Sequence, residues 1–159
     1  MMKSIKLVVA AIIGSIVSGC SVLPIKSSIK DNHFRIENFM DDRGADKEYV
    51  YLMCHKKRVT TWSNPKQFMA GKHNLWVKAL VSKRDTANSQ RVAYVNFEIE
   101  LSAGESYTLN RKIDDEQISI WIQDSENGKV VSKVKVAKLE LPKVVDKRLR
   151  REQCESGTI

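Results

Sequence analysis

The stretch Ala93-Tyr94-Val95-Asn96-Phe97-Glu98-Ile99-Glu100-Leu101 alternates without a break, apolar residues at the odd positions and Tyr94, Asn96, Glu98 and Glu100 between them. A period of two marks a half-buried strand, because successive side chains leave a strand on opposite faces. The pattern recurs on both sides. Leu75, Val77, Ala79 and Val81 alternate with Trp76, Lys78, Leu80 and Ser82, and Ile118, Ile120 and Ile122 alternate with Ser119, Trp121 and Gln123. Phe34 and Ile36, the run Tyr49 to Cys54, Val59 to Trp62, and Tyr107 with Leu109 give shorter segments. Val130, Val134 and Val136, with Lys133 and Lys135 outward, predict another strand, and residues 139–145 an edge piece blunted by Pro142.

Between these segments lie turn signals: Asp41 to Asp46, His55-Lys56-Lys57-Arg58, Asn64-Pro65, Lys83 to Gln90, Ala103-Gly104-Glu105, Asp114-Asp115-Glu116 and Asp124 to Gly128. Short strands at spacings of about 8–12 residues predict an all-β fold, a single antiparallel β-sandwich of about 7–9 short strands. It is expected over residues 33–145. Helix signals are confined to residues 146–153 (DKRLRREQ), which could start at Asp146 but carry a single apolar residue, Leu149.

Composition agrees with one domain. The chain has 159 residues, 42% of them hydrophobic, with 27 Lys and Arg against 19 Asp and Glu, for a net charge of +8. That apolar fraction excludes a disordered chain. Seven Gly, three Pro and three Cys exclude collagen-like and disulfide-dense scaffolds.

The N-terminus is organised as an export signal: a basic start with Lys3 and Lys6, an apolar stretch from Leu7 to Ser18, then small residues. The apolar run is shorter than the roughly 20 residues a spanning helix needs. It ends Val17-Ser18-Gly19-Cys20, which resembles the lipobox of bacterial lipoprotein precursors at every position. The resemblance covers residues 1–20 and implies that the signal (1–19) is cleaved and Cys20 carries a diacylglycerol thioether and an acylated amino group. The chemistry needs a thiol there, since a thiolate is the nucleophile that takes up the lipid. In the same family an Asp after the cysteine favours the inner membrane; Ser21 follows here. The resemblance therefore implies lipid anchoring to the outer membrane, with the domain in the periplasm or at the cell surface. An uncleaved anchor or an ordinary secretory signal is the other reading. Residues 20–32, poor in apolar periodicity, then form a lipidated tether, and loss of the signal lowers the charge from +8 to +6.

Cys54 and Cys154 remain, an even number in an oxidising compartment. A bond between them would staple the basic C-terminal segment, residues 146–159, to the sandwich. The other arrangement is a buried free thiol at Cys54 with Cys154 loose or paired between molecules.

A weaker resemblance lies in Gly71-Lys72-His73-Asn74-Leu75-Trp76-Val77 and Ala103-Gly104-Glu105-Ser106-Tyr107-Thr108-Leu109. Both look like strand entries of small envelope lipoproteins and of PEGA-like or carboxypeptidase-regulatory-like sandwiches, in which the Gly turns into a strand and the Tyr packs near the core edge. It implies a fold and no activity.

No nucleophile elbow, zinc-protease motif, phosphate-cradling Gly loop or dinucleotide fingerprint occurs. The carboxylate runs Asp41-Asp42 and Asp114-Asp115-Glu116 fall in turns, where such residues ordinarily cap backbone amides. Asp124, Glu126 and Asn127 before Gly128 lack the oxygen pattern of a calcium loop, and His33, His55 and His73 form no ligand spacing. The expectation is no enzyme, no metal and no cofactor.

The outer faces of the strands are more informative. If the aliphatic residues point inward, Trp76, Tyr94 and Trp121 point outward with Lys78 and the nearby Lys133 and Lys135, a face suited to stacking on sugars, neutralising anions or docking a protein. The other reading is a second small core covered by the terminal segment or by lysine stems. The expected partners are the membrane, through the lipid, and an envelope protein or an anionic envelope glycan or lipid; nucleic acid is not expected in that compartment. The sequence thus predicts a non-enzymatic binding or accessory module. An inhibitor or sensor of a periplasmic hydrolase is the alternative, and a glycan hydrolase a third.

Overall fold

The computed structural model describes residues 28–61, 66–143 and 146–159. The signal segment, Cys20, most of the tether and Trp62 lie outside the described residues. The fold is all-β with one terminal helix. In chain order the elements are β1 (His33–Glu37), β2 (Phe39–Asp41), β3 (Asp46–Leu52), β4 (Cys54–His55), β5 (Arg58–Val59), β6 (Lys66–Met69), β7 (Gly71–Lys83), β8 (Arg91–Leu101), β9 (Ser106–Asp114), β10 (Gln117–Asp124), β11 (Lys135–Lys138) and α1 (Asp146–Ser156).

Two sheets face each other. One runs β11-β10-β9-β1-β6 and the other β2-β3-β7-β8, with β4-β5 as a separate hairpin. Every ladder is antiparallel except that of β1 with β9, which is parallel. The chain changes sheets at short breaks. Between β1 and β2 stands Asn38, whose Oδ1 accepts the Leu52 N–H at 3.0 Å. Between β6 and β7 the crossing ends at Gly71, whose φ of +130° is closed to ordinary side chains. Tyr107, at the β8–β9 crossing, is buried, and its hydroxyl accepts the Ser102 N–H at 3.1 Å.

The alternating residues meet between the sheets. Leu75, Val77, Ala79, Val95 and Phe97 of one sheet pack with Phe34, Ile36, Leu109, Ile118, Ile120 and Ile122 of the other. Each large apolar side chain buried this way contributes about 1.5–3 kcal/mol. At one margin of the sandwich the Arg111 guanidinium of β9 bonds to Glu48 of β3 and lies 4.0 Å from the Phe39 ring, tying both sheets together.

One local expectation is corrected, and two features go beyond the sequence reading. The strand at Val130 to Val136 is displaced and its phase is inverted: β11 begins at Lys135, Val136 lies opposite Ser119 on the outer face, and Ala137 lies opposite Ile118 on the inner one. Val130, Val134 and Val136 are accordingly exposed. A one-residue slip reverses every side chain of a strand, and Val-Lys alternation does not mark which phase pairs with β10. Lys66–Met69 forms a strand that no alternation announced, added to β1 through Phe34 opposite Phe68. The end of the predicted tether is held down, since Lys30 N–H donates to Gln67 Oε1 and Gln67 Nε2 donates to the Ser28 carbonyl, each at 2.9 Å.

Candidate functional site

The outer face of the β3-β7-β8 sheet carries cross-strand rows. Register places Tyr51 opposite Lys78, and Lys78 opposite Tyr94, while Trp76 lies opposite Asn96 in the next row. α1 covers part of this face. Its Cys154 is disulfide-bonded to Cys54 across 100 residues of chain, with Cα atoms 5.3 Å apart. Met53, Cys54 and Cys154 form a second small core, and Trp76 and Tyr94 pack against it. Leu149, the helix's one aliphatic residue, is exposed. The end of the helix and the residues after it continue the attachment: Trp76 Nε1 donates to Ser156 Oγ at 3.3 Å, Asn74 Nδ2 to the Ser156 carbonyl at 3.0 Å, and Ile159 inserts into the main core.

The structure therefore brings Trp76, Lys78 and Tyr94 together and does not bring Trp121 to them. Trp121 sits on β10, on the outer face of the opposite sheet, where its Nε1 donates to Gln123 Oε1 at 2.8 Å. Trp76 and Tyr94 are half-buried beneath the terminal segment rather than displayed as a stacking platform.

What that segment creates is a groove of about 700 Å³ on the same face. Lys56, Lys57 and Arg58 of the β4–β5 hairpin line one side and Lys147, Arg150 and Arg151 of α1 the other, with Lys78 and Tyr94 on the sheet between them. Lys143 also lines it, already paired with Glu140 at 3.1 Å, and Glu155 is the single acidic lining residue. The Arg150 guanidinium lies 3.7 Å from the Tyr94 ring centroid and Lys78 Nζ 5.8 Å from it. One face of the ring thus holds a guanidinium in place by cation–π attraction.

The hairpin tip is built in an expensive way. Lys56 and Lys57 both have positive φ, 51° and 58°. A two-residue hairpin turn matched to strand twist needs that geometry, but Asn-Gly would adopt it with less strain. Lys57 N–H donates to the Ile159 carbonyl at 3.1 Å, which joins the hairpin to the C-terminal segment. No ion pair engages Lys56, Lys57, Arg58, Lys147 or Arg151 among the described residues. Charges of one sign held around a concavity raise the local concentration of counter-ions.

Most of the other candidates are engaged locally, His55 excepted, whose Nδ1 is buried with no hydrogen-bond partner among the described residues. Asp41 Oδ1 accepts the Arg43 N–H, Asp124 Oδ1 accepts the N–H groups of Glu126 and Asn127 at 2.8 and 3.0 Å, and Glu116 pairs with Lys138 at 3.2 Å. Asp115 stands in the β9–β10 turn with φ of 53°. His33 Nδ1 lies 2.7 Å from the Asp31 carbonyl, and His73 bridges Met69 and Thr158. His55 is pushed below its usual pKa by desolvation and then by the Lys66 and Lys56 charges.

Tyr51, beneath the groove, is pushed up to about 12, first by burial and then by Tyr94. A pKa raised on folding means that the neutral phenol is the favoured form. Its stabilising contribution is complete below the unfolded value of about 10 and is lost as pH rises through the folded value. Alkaline titration should show a tyrosinate absorbance step near pH 12 that Tyr51→Phe removes. A late step that survives the substitution contradicts the assignment.

The groove residues outside the sheet were not legible as a site. Their signal was only a basic loop and a basic tail, 85 or more residues apart in sequence, which the disulfide joins in space. No family model matches the chain, and no curated protein and no solved structure matches it.

Proposed function

We propose that the protein is a non-enzymatic lipoprotein anchored to the outer membrane through Cys20, whose β-sandwich is a binding or accessory module for an anionic component of the cell envelope. The observation that carries the reading is the basic groove between the β4–β5 hairpin and α1, with its surplus of cations around one carboxylate. The Val17-Ser18-Gly19-Cys20 sequence supports the anchor. An extended chain spans at most about 3.6 Å per residue, so a tether from Cys20 would keep the groove within reach of the bilayer surface.

The test is position-specific cross-linking in the intact cell envelope with the full-length protein. A photoreactive residue at Val59, exposed in the groove, should give a discrete adduct with an envelope component. The same residue at Lys112, on the opposite sheet and exposed, should give none. Equal yields at both positions, or an adduct from Lys112 alone, would remove the groove as the binding face.

A further inference from the structure

We infer that the ligand of this groove is a compact molecule bearing two or more phosphates. The inference rests on the groove being the binding face and specifies the chemistry it takes.

Three observations converge on it. The first is charge density. Eight cationic side chains and one carboxylate line a volume of about 700 Å³, a size typical of small-ligand sites. A carboxylate supplies one charge, whereas a phosphate monoester supplies about 1.5 to 2 with three acceptor oxygens. Lys143 is already paired with Glu140, and, against the remaining surplus, phosphates offset more charge per unit of ligand volume than carboxylates do, so a small ligand approaches balance best with two or more of them. The second is donor geometry. Arg58, Arg150 and Arg151 come from two elements and offer planar forks that pair with phosphate oxygens two bonds at a time. The Arg150 guanidinium, held over Tyr94 at 3.7 Å, is placed before any ligand arrives, which lowers the ordering cost of binding. The third is the lysine pair at the hairpin tip. Lys56 and Lys57 occupy left-handed positions that suit Gly and Asn far better. A turn chosen only for folding would not put two lysines there, while a turn that has to present ammonium groups over a concavity would.

The stacked guanidinium also changes what Tyr94 does. With one ring face covered by Arg150, the ring serves to position a cation rather than to stack on a sugar.

The experiment uses the full-length lipidated protein in neutral detergent micelles, followed by calorimetry. Tripolyphosphate is the phosphate probe, citrate the carboxylate probe, and a phosphatidylinositol bisphosphate doped into the micelles the lipid-borne phosphate. Tripolyphosphate is expected to bind at least tenfold tighter than citrate, with affinity falling as salt rises. Lys57→Gln with Arg151→Gln, both exposed and outside any ion pair, should weaken it at least tenfold. Lys112→Gln with Lys135→Gln, on the other sheet, should change it less than twofold. Displacement by the phosphatidylinositol bisphosphate at lower total concentration than tripolyphosphate places the phosphates on a lipid, and the reverse places them on a soluble ligand; both results support the inference. Citrate binding as tightly as tripolyphosphate overturns phosphate selectivity and leaves the groove as an anion site. Equal losses in the two double variants overturn the site itself. Binding of none of the three probes, with the Val59 cross-link still formed, overturns the phosphate ligand while the groove stays a binding face for another partner.

Discussion

Replacing both disulfide cysteines, Cys54→Ala with Cys154→Ala, should lower the unfolding free energy by about 2–5 kcal/mol, the usual cost of losing a native disulfide in a small domain. The chain-entropy contribution alone is about 4.7 kcal/mol for a loop of about 100 residues, which is the separation of this pair. Alanine avoids leaving a hydroxyl in the apolar site occupied by Met53, Trp76 and Tyr94. The loss should be uneven over the molecule. α1 has only 11 residues, too few to be stable as an isolated helix, and its aliphatic residue Leu149 faces solvent. Besides Cys154, the Arg150 guanidinium over Tyr94 links it to the sheet before Ser156, Thr158 and Ile159 make their contacts. Amide exchange should therefore rise in residues 146–156 far more than in β7 and β8, and phosphate affinity should fall with it, since one side of the groove goes with the helix. An unchanged urea midpoint, or a helix that keeps its protection, would show that the tail contacts suffice without the bond.

The strands were legible where one face is buried and the other solvated. β7, β8 and β10 alternate because each lays one face on the core between the sheets and turns the other away from it, and their register follows from that apolar face. β6 was illegible because Lys66-Gln67-Phe68-Met69 offers the core one partly buried residue, Phe68, at a sheet edge where pairing with β1 supplies the order. β11 was misread for a related reason. Its phase is chosen by pairing with β10, which seats Ala137 inward and leaves the larger Val136 outside. Long-range hydrogen bonding decided the matter against local hydrophobicity.

The site divides in the same way. Trp76, Lys78 and Tyr94 were found because an alternating strand announces its second face. Trp121 was grouped with them because alternation gives the face of a strand but not the sheet to which the strand belongs. The hairpin and helix cations were missed as a unit, although both segments were visible as basic. What unites them is the Cys54–Cys154 bond, which brings residue 54 and residue 154 to the same small core. Had the proposed staple been followed outward by a few residues on each side, Lys57 and Arg58 would have met Arg150 and Arg151. Cysteine pairing was the long-range signal, and it carried the functional face with it.

The proposed lipid anchor leads to the second large effect: Cys20→Ser, exported behind an ordinary cleavable secretory signal in place of residues 1–19, should convert a protein that stays in the membrane fraction through high-salt and alkaline washing into one that those washes recover in the soluble fraction. Serine cannot replace the thiolate that takes up the lipid, so acyl labelling should also be lost. A single acyl chain holds a protein only marginally, at about 0.8 kcal/mol per buried methylene, whereas several together give stable anchoring. The basic groove provides a control within the same experiment. Electrostatic attraction to an anionic surface is screened within about 10 Å at 0.1 M salt, so any residual association of the Cys20→Ser protein should vanish at high salt and should fall further with Lys57→Gln and Arg151→Gln. The variant leaves the Cys54–Cys154 pair intact, so misfolding is not an expected consequence. Acyl label still incorporated at the serine variant, or membrane association that resists salt, would rule out Cys20 as the anchor. Salt-labile association that ignores the groove substitutions would instead remove the groove from the membrane surface, with the anchor itself untouched.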